Sequence, residues 1–433
     1  MSKTSRTKNV TSTKTRQDLD KEDWYHGMLP REDIATLLKD NGQFLVRLTE
    51  PKQGQGMRLV LSCRWNTRLF HLIINEADGH FYIEHFKFQS VSELVKHYQK
   101  TKKPVTVKSG AVLEKPVIRQ DWELKHDQIE LGKMLGEGAF GGVYMGNFTT
   151  GGKVIKVAVK VHKGKELSKE MIKEMCKEAR IMRRYDHPNI VKFYGVAMHN
   201  EPLMLVMELV DSGSLDKYLQ KNAAKLTTPI RVKMVLDAAK GLEYLHDKGC
   251  IHRDVAARNC LVSEGRVKIS DFGLSKEASV QNTKYKLTNL KQKLPIRWLA
   301  PETLTLLQYS SKSDVFSFGI LMWEVFSDGQ DPYPGMTLAE VNMKVREGYR
   351  MPPPESMPCA LGDIMHKGCF PAEPDERMSM MQIRKLVEEQ TETSGKNSKS
   401  RYDKDKDKDK DKEKEADKEK DKDGQDPGTV SRY

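Results

Sequence analysis

The sequence predicts an α+β chain with two folded modules between polar ends, and three observations predict it. From Trp24 to Tyr98 a helical pattern, several short alternating runs and a second helical pattern follow in order. From Ile129 to Val387 a glycine-rich, strand-rich stretch gives way to segments with apolar spacing near that of a helix. The two ends are polar and low in large apolar groups, too poor to offset the entropy of ordering. The expected division is a disordered basic arm (1–23), a first module (24–114), a linker (115–128), a second module (129–390) and a disordered Lys/Asp-rich tail (391–433).

Each element can be justified from its residues. Arg31 to Leu38 has helical spacing. Phe44 to Leu48, Leu59 to Cys63, Leu69 to Ile74 and Phe81 to Glu84 read as strands, with turn signals at Asn41-Gly42 and Asp78-Gly79. Val91 to Tyr98 closes the first module as a helix. In the second, Glu166 to Tyr185, Pro229 to Asp247, Ser313 to Phe326 and Leu338 to Glu347 are helical. The tail segment Asp403 to Lys412 alternates acid and base, which sets like charges at i and i+4.

The net charge of +12 over 433 residues fits nucleic acid, a membrane surface, acidic substrates or a solvated basic surface. Scattered lysines without interleaved aromatics carry no nucleic-acid signature. The six cysteines form no Cys-x-x-Cys pair, so reduced thiols are expected. No apolar run reaches the length of a spanning helix; the best, Leu203 to Val210, contains Glu208. Ser2 stands where a myristoylation signal needs glycine, so any membrane association is expected through partners or charge.

The chemistry begins at Gly136-Glu137-Gly138-Ala139-Phe140-Gly141-Gly142-Val143. Glycine lets the backbone approach a polyphosphate and aim its amides at oxygen. Alone, the pattern also fits a dinucleotide-binding turn. The next segment, Val157-Ala158-Val159-Lys160, is a strand rather than a helix, which favours a phosphate-covering hairpin with Lys160 on the α and β phosphates. Glu178 lies near the apolar face of the next helix and would orient that lysine. Further on stand His252-Arg253-Asp254-Val255-Ala256-Ala257-Arg258-Asn259, Asp271-Phe272-Gly273 and Ala300-Pro301-Glu302. Each triplet is common, but together in this order they point to phosphoryl transfer. Asp254 would take or orient the acceptor hydroxyl proton, while Asn259 and Asp271 would offer oxygens to magnesium. Gly273 would let the backbone turn after Asp271.

The region resembles a eukaryotic protein kinase domain, and in particular a tyrosine kinase. The ending Ala256-Ala257-Arg258-Asn259 and the segment Pro295-Ile296-Arg297-Trp298 carry that distinction; serine/threonine kinases usually place a lysine two residues after the aspartate. The resemblance implies ATP as substrate, with magnesium or manganese. It implies a nucleotide site of Leu135, Gly136, Gly138, Gly141, Val143, Ala158, Lys160 and Leu261, with Met207 as gatekeeper and Glu208 and Val210 bonding adenine through their backbone. It also implies a catalytic set of Asp254, Lys160, Glu178, Arg258, Asn259 and Asp271, and an apolar spine of Met182, His252 and Phe272. Tyr285 would be the autophosphorylation site, its phosphate clamped by Arg253, and Arg377 would pair with Glu302. Phe316 and Met378 depart from the usual tryptophan and proline, in lower-lobe packing only.

The first module resembles a Src-homology-2 (SH2) domain through Trp24-Tyr25-His26-Gly27 and Phe44-Leu45-Val46-Arg47. The resemblance implies a central antiparallel sheet flanked by two helices. Arg47 would form the floor of a phosphotyrosine pocket, joined by Arg31, Thr49, His71 and amides of the loop after Thr49. Leu72 and Ile73 stand where Src-like modules carry tyrosine and lysine, so peptide preference is expected to differ. The order SH2, linker, kinase is similar to the Fes/Fer group, without its N-terminal membrane-bending region. That implies tyrosine-phosphorylated partners, protein substrates and a cytoplasmic place with recruitment to the inner face of the plasma membrane. A scaffold with a dead kinase domain would have lost Lys160, Asp254, Asn259 or Asp271, and all four are present.

Overall fold

Alternating apolar residues over 43–73 become three antiparallel strands. The computed structural model describes residues 15, 18–51, 56–138, 141–162, 168–277, 285–287 and 294–391, so the expected tail and most of the expected arm lie outside the described residues. The chain divides into two units: residues up to 211 with 270–277, and residues 212–269 with 278 onward.

In the first unit, helix α1 (Arg31–Leu37) precedes β1 (Gln43–Thr49), β2 (Arg58–Trp65) and β3 (Arg68–Ile73). A small hairpin of β4 (Asn75–Ala77) and β5 (His80–Tyr82) leads to α2 (Val91–Thr101). The main sheet runs β3-β2-β1-β6, where β6 (Lys115–Pro116) adds in parallel to β1. Strand β1 is central, so both its faces are covered and Gln43 to Leu48 are all buried. Asp78 and Gly79 both adopt positive φ, 53° and 73°, which suits the tight hairpin between β4 and β5. Helix α2 buries Val91, Leu94, Val95 and Tyr98, one face at i, i+3, i+4 and i+7, and Ser90 caps it by accepting from Glu93 N–H.

Two expectations need correction here. Residues 18–23, assigned to a disordered arm, are packed: Leu19 is 2 % exposed, and Asp20 accepts from the Asn200 amide at 2.9 Å. One leucine amid charges carries too weak a signal for sequence reading. The 115–128 segment is likewise built into the unit. Its Glu123 is buried against His26 Nδ1 at 2.9 Å, and His26 Nε2 lies 2.9 Å from the Val117 carbonyl. Leu124 joins Ile129, Phe148, Val157, Val159 and Val206 in one core. A Cβ at Gly195 would stand 2.5 Å from the Leu124 side chain, so only glycine lets this segment lie down.

The same unit continues as an antiparallel sheet of β7 (Ile129–Gly138), β8 (Gly141–Thr150), β9 (Lys153–His162), β10 (Phe193–Ala197) and β11 (Met204–Glu208), in the order β10-β11-β9-β8-β7. Helix α3 (Lys169–Met182) follows β9 and is capped by Ser168, which accepts from Met171 N–H. Its described start is Lys169 rather than Glu166, since 163–167 lie outside the described residues.

The second unit is mainly helical: α4 (Leu215–Asn222), α5 (Thr228–Asp247), α6 (Pro301–Leu306), α7 (Ser311–Phe326), α8 (Leu338–Arg346) and α9 (Cys359–Asp363). Helix α7 is buried from Ser313 to Phe326, so it forms a core rather than a surface stripe. Arg377, 1 % exposed, donates to both Glu302 oxygens at 2.9 and 2.8 Å. All six cysteines are free thiols, five of them buried. No described helix is long and apolar enough to cross a membrane.

Candidate active site and phosphate pocket

Strand pairing sets one side of the nucleotide site. Val143 lies opposite Lys160, and Ala158 lies opposite Met207. Residues directly opposed in an antiparallel pair share a face, as do residues two apart. Val143, Ala158, Lys160 and Met207 are therefore on one face of the sheet. The hairpin ahead of them pairs Gly136 with Val143 and Gly138 with Gly141, and Leu135 beside it is exposed. Ala139 and Phe140 lie outside the described residues. Glu208 pairs with Val157 on the other face, and its N–H donates to the Lys192 carbonyl at 2.8 Å. Val210 follows β11.

Lys160 Nζ donates to both Glu178 oxygens at 2.8 Å. Helix α3 turns Glu178 to the same side as Met175, Ile181 and Met182, which leaves it 6 % exposed. Burial works against the Lys160 charge, but the Glu178 and Asp271 carboxylates outweigh it and raise its pKa. Asp271 adopts φ 58° and its Oδ1 accepts from Gly273 N–H at 3.2 Å. The left-handed turn thus falls on the aspartate. Gly273 matters for space, because a Cβ there would approach Asp271 Oδ1 to 3.2 Å. Phe272 is fully buried, with its ring centroid 5.8 Å from that of Tyr185. Met182, the spine residue on α3, is also buried.

In the second unit, Asp314 at the start of α7 ties down the catalytic loop. Its Oδ2 accepts from His252 N–H at 2.7 Å and its Oδ1 from Arg253 N–H at 2.8 Å. That hold lets Arg253 keep φ 71°, a strained value for a non-glycine residue. Arg258 forms an ion pair with Asp254. Asn259 Nδ2 donates to the Asp254 carbonyl at 2.8 Å, which commits the nitrogen end of the amide. Asp271 and Asn259 are hard oxygen donors of the kind magnesium takes. Leu261 lies on the short Cys260–Ser263 strand, opposite Lys268.

Glu324 was not singled out from sequence. It is 3 % exposed, and its Oε2 accepts both Ala257 N–H and Trp298 Nε1–H at 3.0 Å. The Arg258 guanidinium sits 4.0 Å from the Trp298 ring centroid. One carboxyl therefore ties the Pro295–Trp298 segment to Ala257, the residue before Arg258. Burial pushes Glu324 up to about 8, against the pull of those two donors and Arg258. Tyr285 pairs with Tyr309 in a short two-strand ladder, and the Arg253 guanidinium lies 4.9 Å from its ring centroid.

The pocket of the first module has Arg47 at its floor, 3 % exposed. Among the described residues its hydrogen bonds go to neutral oxygens, the Leu29 carbonyl at 3.1 Å and Ser62 Oγ at 3.3 Å. A buried guanidinium with neutral partners favours an anion. Burial and the nearby Arg31 pull its pKa down to about 10. His71 bonds to Ser62 Oγ at 3.0 Å, and burial with Arg47 and Arg31 holds it down at about 4, hence neutral. Arg31, Thr49 and His71 line the same cavity of about 410 Å³. Residues 52–55 of the loop expected to supply amides lie outside the described residues.

The chain matches the protein tyrosine and serine/threonine kinase family over residues 129–387 and the SH2 domain family over 24–98. It is 43 % identical over 369 residues to Homo sapiens tyrosine-protein kinase Fer, covering 85 % of this chain and 44 % of that protein. It is 40 % identical over 378 residues to Fer-related kinase 1 of Caenorhabditis elegans, covering 86 % of this chain and 94 % of that one. The chain belongs to the Fes/Fer group of tyrosine kinases. A further relative, the avian sarcoma virus (strain PRCII) transforming protein Fps, is 39 % identical over 357 residues, covering 82 % of this chain and 65 % of that protein. This Fes/Fer-group chain thus spans less than half the length of Fer but nearly all of Fer-related kinase 1.

In this Fes/Fer-group kinase the SH2 domain and the sheet carrying Lys160 are joined by contacts between residues that sequence reading did not name. Arg180 of α3 donates to Asp33 of α1 through two bonds of 2.7 and 2.8 Å. Lys173 meets Glu32 at 2.9 Å. Gly27, at φ 55°, lets its backbone pass where a Cβ would sit 2.4 Å from the Met198 carbonyl oxygen. Helix α3 therefore holds Glu178 toward Lys160 and Arg180 toward the SH2 domain.

Proposed function

We propose that the chain is a non-receptor protein-tyrosine kinase that transfers the γ-phosphoryl group of ATP to tyrosine in protein substrates, recruited by its SH2 domain to tyrosine-phosphorylated partners. The observation that carries this reading is the Lys160–Glu178 pair at 2.8 Å, assembled on the sheet face shared with Val143, Ala158 and Met207. Lys160 would hold the α and β phosphates beneath the Gly136–Gly141 hairpin, with Leu135, Val143, Ala158 and Leu261 against adenine, Met207 behind it, and Glu208 and Val210 bonding it through the backbone. Asn259 and Asp271 would hold magnesium, which neutralises phosphate charge when bound.

Asp254 would orient the tyrosine hydroxyl and accept its proton as the new O–P bond forms. The bond from the γ phosphorus to the bridging oxygen breaks, and ADP leaves. Arg258, braced by Trp298, would fix Asp254 and the acceptor side. Tyr285 is the proposed autophosphorylation site, with Arg253 beside it to receive the added charge. Arg31, Arg47, Thr49 and His71 would grip phosphotyrosine, and the protein would act in the cytoplasm with peripheral recruitment through such partners. The working boundaries are 24–114 for the SH2 domain and 129–390 for the kinase domain.

The test is transfer of radiolabel from ATP to poly(Glu,Tyr), with phosphoamino-acid analysis of the product. Label in phosphotyrosine that Asp254→Asn abolishes is the expected result. Label in phosphoserine, or full activity in the variant, refutes the assignment.

A further inference from the structure

The SH2 domain does not close the Arg47 cavity by itself. Lys169, Ile172 and Lys173 of the kinase helix α3 line it together with Arg31, Arg47, His71 and Ile73. Ile73 is the position where Src-like modules carry a lysine against the phosphotyrosine ring. Here that side chain is apolar and 38 % exposed. Among the described residues, the lining charges drawn from the SH2 domain cancel, because Arg31 and Arg47 stand with Glu32 and Glu50 around the same cavity. His71, held neutral, adds nothing at physiological pH. Among the described lining residues, the two α3 lysines give the cavity its excess positive charge.

We propose that Lys169 and Lys173 supply the cationic arm that Ile73 lacks, so that phosphotyrosine is held by the SH2 domain and the kinase domain together. This rests on the reading of Arg47 as the phosphotyrosine floor. Lys173 is already at the rim, paired with Glu32 at 2.9 Å, where both side chains are nearly half exposed. Such a pair is weak, and a phosphate dianion with three acceptor oxygens competes well against one carboxylate.

The experiment is calorimetry on the full chain, phosphatase-treated and without ATP, using a peptide whose sole charged side chain is one phosphotyrosine. Replacing both lysines (Lys169→Ala with Lys173→Ala) should weaken binding by about threefold to tenfold, in line with part-exposed ion pairs, and flatten its salt dependence. The pair Lys169→Arg with Lys173→Arg should bind as the unaltered chain does. Adding Ile73→Lys to the double-alanine variant should restore affinity to within about twofold of the unaltered chain. Unchanged affinity and salt slope in the double-alanine variant, with binding lost in Arg47→Ala, overturns the inference and leaves the phosphotyrosine reading standing. Unchanged binding in Arg47→Ala overturns both.

Discussion

Removing the Asp33 carboxylate tests whether the SH2 domain braces α3. The Asp33 side chain is 4 % exposed, and Arg180, its partner at 2.7 Å, is 30 % exposed. Breaking a fully buried pair costs about 3–5 kcal/mol, because the surviving charge is stranded. In Asp33→Ala the survivor is a guanidinium that water still reaches, so the expected cost falls to about 2 kcal/mol. Arg180→Ala strands the better-buried carboxylate and should cost more, about 3 kcal/mol. At about 1.4 kcal/mol per decade, these are losses of roughly 30-fold and 100-fold in local stability. Hydrogen exchange at the α3 amides from Ile172 to Met182 reads this directly as protection. The double variant should lose no more protection than Arg180→Ala alone, since neither charge is then stranded. Two single losses that multiply in the double variant, or protection unchanged in Asp33→Ala, would refute the argument.

Glu324 gives a pH prediction. Its folded pKa of about 8 lies above its ordinary 4.5, so its contribution is complete below pH 4.5 and is lost as pH rises through 8. Melting temperature measured across that window should fall less in Glu324→Gln than in the unaltered chain, and an identical slope would remove the assignment. Glu324→Ala leaves the Ala257 and Trp298 donors unsatisfied, at about 1–3 kcal/mol each; it should lower kcat on poly(Glu,Tyr) by at least tenfold, measured at saturating ATP. Gly27→Ala, with a Cβ 2.4 Å from the Met198 oxygen, should cost at least about 1–3 kcal/mol and lower exchange protection on both sides of that contact. Lys160→Met should reduce transfer by more than about 100-fold, yet leave phosphopeptide affinity within about twofold, as judged by paired activity and calorimetry measurements.

The residues proposed as catalytic were legible as candidates because phosphoryl transfer demands fixed residue types in a fixed order. Lys160, Asp254, Asn259 and Asp271 could be named from spacing and family pattern alone. The strands were equally readable as short apolar runs bounded by turn signals, although β1 is buried on both faces from Gln43 to Leu48 rather than on alternate residues. Pairings across long separations were not. Asp33 and Arg180 each resemble an ordinary solvated helix charge, and only docking places them 2.7 Å apart. Glu324 sits in the apolar run Phe318 to Phe326, where its two donors come from segments 26 and 67 residues away. Leu19 shows the converse, a single apolar side chain that finds a site in a stretch whose composition predicts disorder.

The bare backbone at Gly27 reaches beyond this one chain. Signalling proteins are commonly treated as strings of exchangeable parts, yet at this seam the fit depends on a hydrogen in place of a methyl group. A graft of some other phosphotyrosine reader ahead of this catalytic domain would inherit binding but not the brace, unless it also brought a glycine at position 27 and an acid at position 33. Recombination across the seam is therefore constrained by a handful of atoms.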